Sequence, residues 1–287
     1  MEHEQRKLQA LGGSLYLSLP ASWSKRFHLD KGSSVDLTIT DSGELRVFPG
    51  SKKIEERTAT LRYDRYFFRN MMREYLYGSD VITVTKRVPF TNAERREIAA
   101  VVTNLLNLEI VEEDSQKIVI QHLKSDIPIK NLVTRMYHLT KTMMDDLCKA
   151  KRDVELLRNI IERDILVGKC YIAVIMQIRA ALTTQWNRDW NLVQLLDMRL
   201  FIERIEKIGD LLKQIAQEGL SGKQIPVKDI LALSSLYEQA YKGYMNTTLA
   251  VAEHFWDKDR EYQKRFSQNR NVAGIYEYIK DITDLII

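Results

Sequence analysis

The sequence predicts a multidomain, mainly α-helical protein, with a small β-rich module at the N-terminus, a small α/β connecting unit and a long helical region. Three observations predict it. Short alternating stretches punctuated by Gly12-Gly13 and Gly43 fill residues 1–50, and strand-like and helix-like runs alternate over residues 60–123. Over residues 126–287 proline occurs only at Pro128 and Pro226, while apolar residues recur at spacings of three and four. The expected domains are therefore 1–50, 60–123 and 126–287.

Composition narrows the function classes. The chain has 287 residues, 45% hydrophobic and 29% charged, the proportions of an ordinary soluble protein. A formal charge of +4 neither demands nor excludes nucleic acid, so only a local basic patch can carry that argument. Cys148 and Cys170 form no CxxC pair, which excludes a zinc ribbon and fits a cytoplasmic setting. His3, His28, His122, His138 and His254 lie far apart and no nucleophile motif is present, which argues against an enzyme. Met1 to Gln5 lacks the apolar core of a signal peptide. The most apolar run, Ile165 to Ile178, is interrupted by Gly168, Lys169 and Gln177 and is shorter than a membrane span, so it reads as a buried helix rather than a transmembrane segment.

In chain order, residues 7–19 alternate as strand around the Gly12-Gly13 turn, and Pro20 ends the pairing. Ala21 to Phe27 suits about two helical turns, with Trp23 and Phe27 on one side. Val35 to Ile39 and Leu45 to Phe48, around Asp41-Ser42-Gly43, read as a hairpin. Elements this short enclose little core, so a partner chain is expected to supply the missing strands.

Arg6-Lys7-x-Gln9, Gly12-Gly13-Ser14, Leu19-Pro20, Trp23 and Leu29-x-Lys31-Gly32-x-x-Val35 together resemble the AbrB/SpoVT swapped-hairpin domain. The resemblance covers roughly Arg6 to Pro49 and implies a small dimeric β-barrel that binds DNA. Ala21 stands where a basic residue is common in that family, and His28 where glycine is common. The cations are Arg6, Lys7, Lys25 and Arg26, which a two-fold axis doubles, and the hydroxyls of Ser14, Tyr16 and Ser18 add phosphate hydrogen bonds. The expected DNA-binding set is these seven residues, with double-stranded DNA as partner. A solvated basic rim on a module that only dimerises is the other reading.

After a charged connector, Ser51 to Thr60, the run Leu61 to Tyr77 reads as helix, with an aromatic stripe of Tyr63, Tyr66, Phe67, Met71 and Tyr75. Asp80 to Thr85 reads as strand, and Thr91-Asn92-Ala93-Glu94 as the capping-box start of a helix through Leu106. Glu109 to Glu112 and Lys117 to Gln121 read as two strands. The result is an α-β-α-β-β unit without a phosphate loop, assigned a connecting or ligand-sensing role.

Helices are then expected at Ile129–Lys149, Asp153–Leu182, Asp189–Glu218, Val227–Phe266 and Val272–Ile287, joined by short links that favour antiparallel three-helix bundling, imperfectly repeated. Met198, Phe201, Ile205, Ile208, Leu212 and Ile215 form the seam of the third. On its other face, Glu203, Glu206 and Asp210 lie one turn apart. They read either as a solvated charged face, with Arg199, Lys207 and Lys213 as salt-bridge partners, or as carboxylates sharing a divalent or trivalent cation.

Phe201-Ile202-Glu203-Arg204-Ile205-Glu206-Lys207-Ile208-Gly209-Asp210 resembles the acidic helix of PhoU proteins, phosphate-uptake regulators whose helical bundles hold surface metal clusters. Ile160-Ile161-Glu162-Arg163-Asp164, Tyr171 and Arg179 extend the likeness, although the family's later acidic positions are Leu166 and Gly168 here. Glu277-Tyr278-Ile279-Lys280-Asp281 is similar to a worn copy of the same element. The resemblance implies a PhoU-like helical bundle over 126–287 and a metal ion, with Glu206 and Asp210 as the foremost ligands and Glu203 beside them.

The combination of both modules resembles an archaeal group of phosphate-uptake regulators. It implies a cytoplasmic homodimeric transcription regulator whose helices answer to phosphate status or to phosphate transporter subunits at the membrane surface. The alternative is a DNA-independent adaptor of such a transporter, in which the barrel serves dimerisation alone.

Overall fold

The computed structural model of the chain describes residues 5–39, 43, 45–50, 56–123, 127–150, 153–184 and 190–286. Two compact units divide it, Met1–Glu56 and Arg57–Ile287.

In the first unit, β1 (Gln9–Leu11) pairs antiparallel with β2 (Ser14–Tyr16) across Gly12 and Gly13. Both glycines have positive φ, 57° and 84°, the left-handed pair that a two-residue hairpin turn demands. Helix α1 (Ala21–Arg26) follows Pro20, and Trp23 and Phe27 meet on one side with ring centroids 5.4 Å apart. His28 then adopts φ 52°, in the left-handed region that favours glycine. Strands β3 (Val35–Ile39) and β4 (Leu45–Pro49) form a second two-stranded ladder. Most of the expected Asp41-Ser42-Gly43 turn lies outside the described residues, as does the first half of the expected connector from Ser51 to Thr60. The described strands make two separate ladders and no closed barrel, and no described residue of this unit is buried.

The second unit begins with a four-stranded sheet. Its strands are β5 (Thr58–Arg62), β6 (Val81–Thr85), β7 (Leu108–Glu113) and β8 (Lys117–His122), in the order β5-β6-β8-β7, with β5 and β6 parallel and the rest antiparallel. Helices α2 (Phe67–Leu76) and α3 (Asn92–Thr103) connect them.

The helix expected from Leu61 is corrected here. Thr58 to Arg62 extend alongside β6, and the helix starts only after Asp64, whose carboxylate accepts the Tyr66 N–H at 2.8 Å. The unit is therefore β-α-β-α-β-β. The aromatic stripe splits with it: Phe67, Met71 and Tyr75 fill the core with Leu61, Ile82, Val84, Ile118 and Ile120, whereas Tyr66 stays exposed. The capping box at Thr91 forms as expected, with Glu94 accepting the Thr91 N–H at 2.9 Å.

Six helices follow: α4 (Ile129–Ala150), α5 (Val154–Thr184), α6 (Leu192–Leu220), α7 (Val227–Met245), α8 (Leu249–Phe266) and α9 (Arg270–Thr283). The single helix expected over Val227–Phe266 breaks at Asn246-Thr247-Thr248. There Thr247 takes φ 49° and the Thr248 N–H turns back to Gly243 O at 2.9 Å. Helices α4, α5 and α6 pack as one three-helix group and α7, α8 and α9 as another, joined through α4–α7 and α6–α9 contacts over one continuous core. The whole α6 seam, from Met198 to Ile215, is buried. Aromatic rings zip the two groups together: Tyr137 stacks on Tyr241 at 3.7 Å and Phe201 on Tyr244 at 3.9 Å.

Helix α5 is only partly the buried helix its composition suggests. Val167, Cys170, Ala173, Val174 and Ile178 line its core side, Ile172 and Met176 reach across to the sheet unit's core, and Ile165 is exposed. Val154–Leu182 is long and apolar enough to cross a membrane by length and composition alone, a test that the core helix of a soluble protein also meets.

Candidate functional site

Arg6, Lys7, Ser14, Tyr16, Ser18, Lys25 and Arg26 are all exposed, so the structure leaves each expected DNA contact on the surface of the first unit. Lys25 and Arg26 occupy the last turn of α1, where cations also suit the helix dipole, and Arg26 lies 5.6 Å from the centre of the Phe27 ring. Leu8, Leu11, Leu15, Leu37, Ile39 and Leu45 are exposed on the same unit, each more than half open to solvent. Such an apolar display is unusually large for so small a unit.

The second candidate site is the acidic face of α6. Its carboxylates are not open. Glu203 accepts from Arg199 at 2.9 Å, and Lys207 bridges Glu206 at 3.0 Å and Asp210 at 3.2 Å. Lys213 joins Asp210 at 3.0 Å to Asp164 of α5 at 2.5 Å.

These pairings set the protonation of the group. Burial raises the Glu206 carboxyl above its ordinary value, against the Lys207 hydrogen bond, and the nearby Asp210 and Asp164 charges add to the rise. Burial also pulls on Asp210, but hydrogen bonds from Lys213 and Lys207 outweigh it and hold that carboxyl below its ordinary value. Lys207 is raised chiefly by its bond to Glu206. The Lys207 and Lys213 ammonium groups thus share the Asp210 carboxylate. Among the described residues no three His, Cys, Asp or Glu side chains form a group able to hold a metal ion. Arg199, Lys207 and Lys213 pair with the Glu203, Glu206 and Asp210 carboxylates as the salt-bridge reading of the face expects.

The ion pairs extend between helices. Arg163 of α5 pairs with Asp146 of α4, and Arg204 of α6 with Asp281 of α9 at 2.8 Å. Asp146 and Asp164 were not singled out from sequence as members of this face. The signal for Asp164 lay in the Glu162-Arg163-Asp164 run, while Asp146 has no motif and is found only by folding α4 against α5. Of the tryptophans, Trp190 packs on the bundle core, Trp256 donates its indole N–H to Asp284 at 2.8 Å, and Trp186 lies outside the described residues.

The fold and site define a class: a bundle of helices tied by ion pairs, carried on a chain whose N-terminal unit displays basic and apolar side chains. Residues 133–219, which run from α4 to the end of α6, match the family model described as PhoU domain. Among solved structures the chain is similar to PhoU from Pseudomonas aeruginosa, at 13% identity, with 55% of this chain and 93% of that chain covered and a TM-score of 0.47. No curated protein matches.

Proposed function

We propose that this chain regulates phosphate uptake as a dimeric, non-enzymatic adaptor. Its PhoU-type bundle meets a phosphate transporter subunit at the cytoplasmic membrane surface, and its N-terminal unit holds two copies together. The observation that carries the reading is that the PhoU match falls on the α4–α6 group, which shares the larger hydrophobic core and whose helices are joined by the Arg163–Asp146 and Lys213–Asp164 ion pairs. Affinity purification of the tagged full chain from cells grown at high and low phosphate tests it. Transporter subunits should co-purify, to a degree that follows phosphate supply; their absence under both conditions overturns the adaptor.

A second reading rests on a different observation. Arg6, Lys7, Lys25 and Arg26 are exposed on a unit whose apolar surface calls for a second copy, which gives eight cations on one dimeric module if four are doubled. In that reading the module binds duplex DNA and the chain is a transcription regulator. Reversing charge at Lys25 and Arg26 should then abolish a mobility shift while the dimer survives. An unchanged shift would remove these residues from the DNA contact.

A further inference from the structure

The sheet unit carries a surface that neither reading uses. Between Arg57 and Tyr77 the sequence holds five arginines and no lysine against two acids, Asp64 and Glu74. Both acids are engaged within the unit: Asp64 accepts the Tyr66 N–H, and the buried Glu74 accepts the Ser79 hydroxyl at 3.0 Å and pairs with Arg73 at 3.0 Å. Arg65 and Arg69 have no carboxylate partner among the described residues. Cations of the bundle are placed differently, since Arg163, Arg199, Arg204 and Lys213 each meet a carboxylate.

Folding sets these arginines in a line. Phe67, Met71 and Tyr75 take the core side of α2, which leaves Arg69 and Arg73 on its outer side, one turn and about 6 Å apart along the axis. Arg65 stands in the turn that leads into the helix, and Tyr77 closes it, its N–H still bonded to Arg73 O at 3.0 Å. Beside the arginines three rings stand in solvent, Tyr66, Phe68 and Tyr77, each about half exposed. Arg65 lies 4.7 Å from the centre of the Tyr66 ring, and Arg57 and Arg179 lie 4.9 and 5.3 Å from that of Tyr77.

A line of arginines without carboxylates is complementary to a polyanion, and its shape narrows the choice. Lipid headgroups present a plane, whereas this line follows one helix and repeats every turn, about the step between successive phosphates of an extended single strand. Such a strand leaves its bases free to stack on Phe68 and on the arginine-backed tyrosines, whatever their identity. A duplex keeps its bases stacked on one another and makes no use of the rings.

We infer that the outer face of α2 binds single-stranded nucleic acid, with Arg65, Arg69 and Arg73 on the phosphates and Tyr66, Phe68 and Tyr77 under the bases. The site is separate from the duplex contact considered for the N-terminal unit.

Fluorescence anisotropy of the full chain with a labelled oligouridylate of about twelve nucleotides tests it, with the matching DNA strand and a DNA duplex as competitors. Either single strand should displace the label, and the duplex should not. Arg65→Gln with Arg69→Gln should weaken binding at least ten-fold and lower the salt slope by about 1.4, the share of two phosphates. Phe68→Ala should weaken it about five-fold or more and leave the salt slope unchanged. Charge reversal at Lys25 and Arg26 should have no effect on it. All these side chains are exposed, so the thermal midpoint should stay that of the parent. No binding at low salt, binding indifferent to the arginine or Phe68 exchanges, loss on reversal at Lys25 and Arg26, or displacement by the duplex overturns the proposal. So does flotation with anionic vesicles that the arginine exchange abolishes while oligouridylate stays unbound, which assigns the face to a bilayer.

Discussion

The two compact units are stabilised by different means. In Met1–Glu56 no described residue is buried, and leucines and isoleucines stand in solvent. In Arg57–Ile287 two hydrophobic cores enclose side chains as large as Tyr75, Tyr237 and Phe201. Burial of apolar area is the main favourable term in folding, so the larger unit holds a source of stability that the described residues of the smaller one lack. Similar local elements, hairpins and short helices, thus end differently: packed on a core in one unit, exposed in the other.

That contrast is broken most forcefully at Ile39, 76% exposed in one chain. If a second copy covers it, amide protection of residues 5–50 rises with protein concentration, while that of 57–286 does not. Ile39→Asp places an unpaired carboxylate in the contact, at a cost of several kcal/mol, and should abolish the protection without moving the thermal midpoint of the larger unit. Protection independent of concentration would mean that the small unit stands alone.

Within the large unit, Phe201→Ala removes a fully buried ring stacked on Tyr244 and should cost about 3–5 kcal/mol in urea unfolding, leaving the concentration dependence of residues 5–50 intact. Tyr237→Phe should cost about 1 kcal/mol. Its hydroxyl lies 2.8 Å from the Thr140 hydroxyl, which keeps its bonds to the Met136 and Tyr137 carbonyls when the pair is lost.

The smallest effect is the pH dependence of the α6 face. Asp210, held below its ordinary value, stabilises the fold above that value and loses the contribution as pH falls through its folded pKa. Glu206, held above its ordinary value, has the opposite sign: its penalty is absent in acid and develops as pH rises past 4.5. Glu206→Gln should therefore gain stability relative to the parent on going from pH 4 to pH 7, and Asp210→Asn should lose it relative to the parent as pH rises through the acid range up to about 5, both read from urea midpoints.

What was legible in the sequence follows the range of the interactions. The α6 seam and the Thr91 capping box are written in spacings of three and four, and both form as expected. Strand β5 was not legible, because Thr58 to Arg62 is too short to display a period and runs into an aromatic stripe of helical spacing. The break between α7 and α8 carries no glycine or proline; its sign is only the polar run Asn246-Thr247-Thr248, with a β-branched residue held at positive φ. On the acidic face, local spacing put Glu203, Glu206 and Asp210 together. It could not decide between lysine and metal, because the Lys213–Asp164 bridge joins residues 49 apart, a distance only the packed α5–α6 pair closes.

Helix α5 has one more consequence. At 31 residues it is about 46 Å long, and it lends side chains to both cores of the larger unit: Val167 and Val174 to the bundle, Ile172 and Met176 to the sheet. A rod gripped at both places works as a lever. Any tilt imposed on the bundle by what it touches must shift the floor beneath α2 and the sheet, so the connecting unit cannot stay still while the bundle moves.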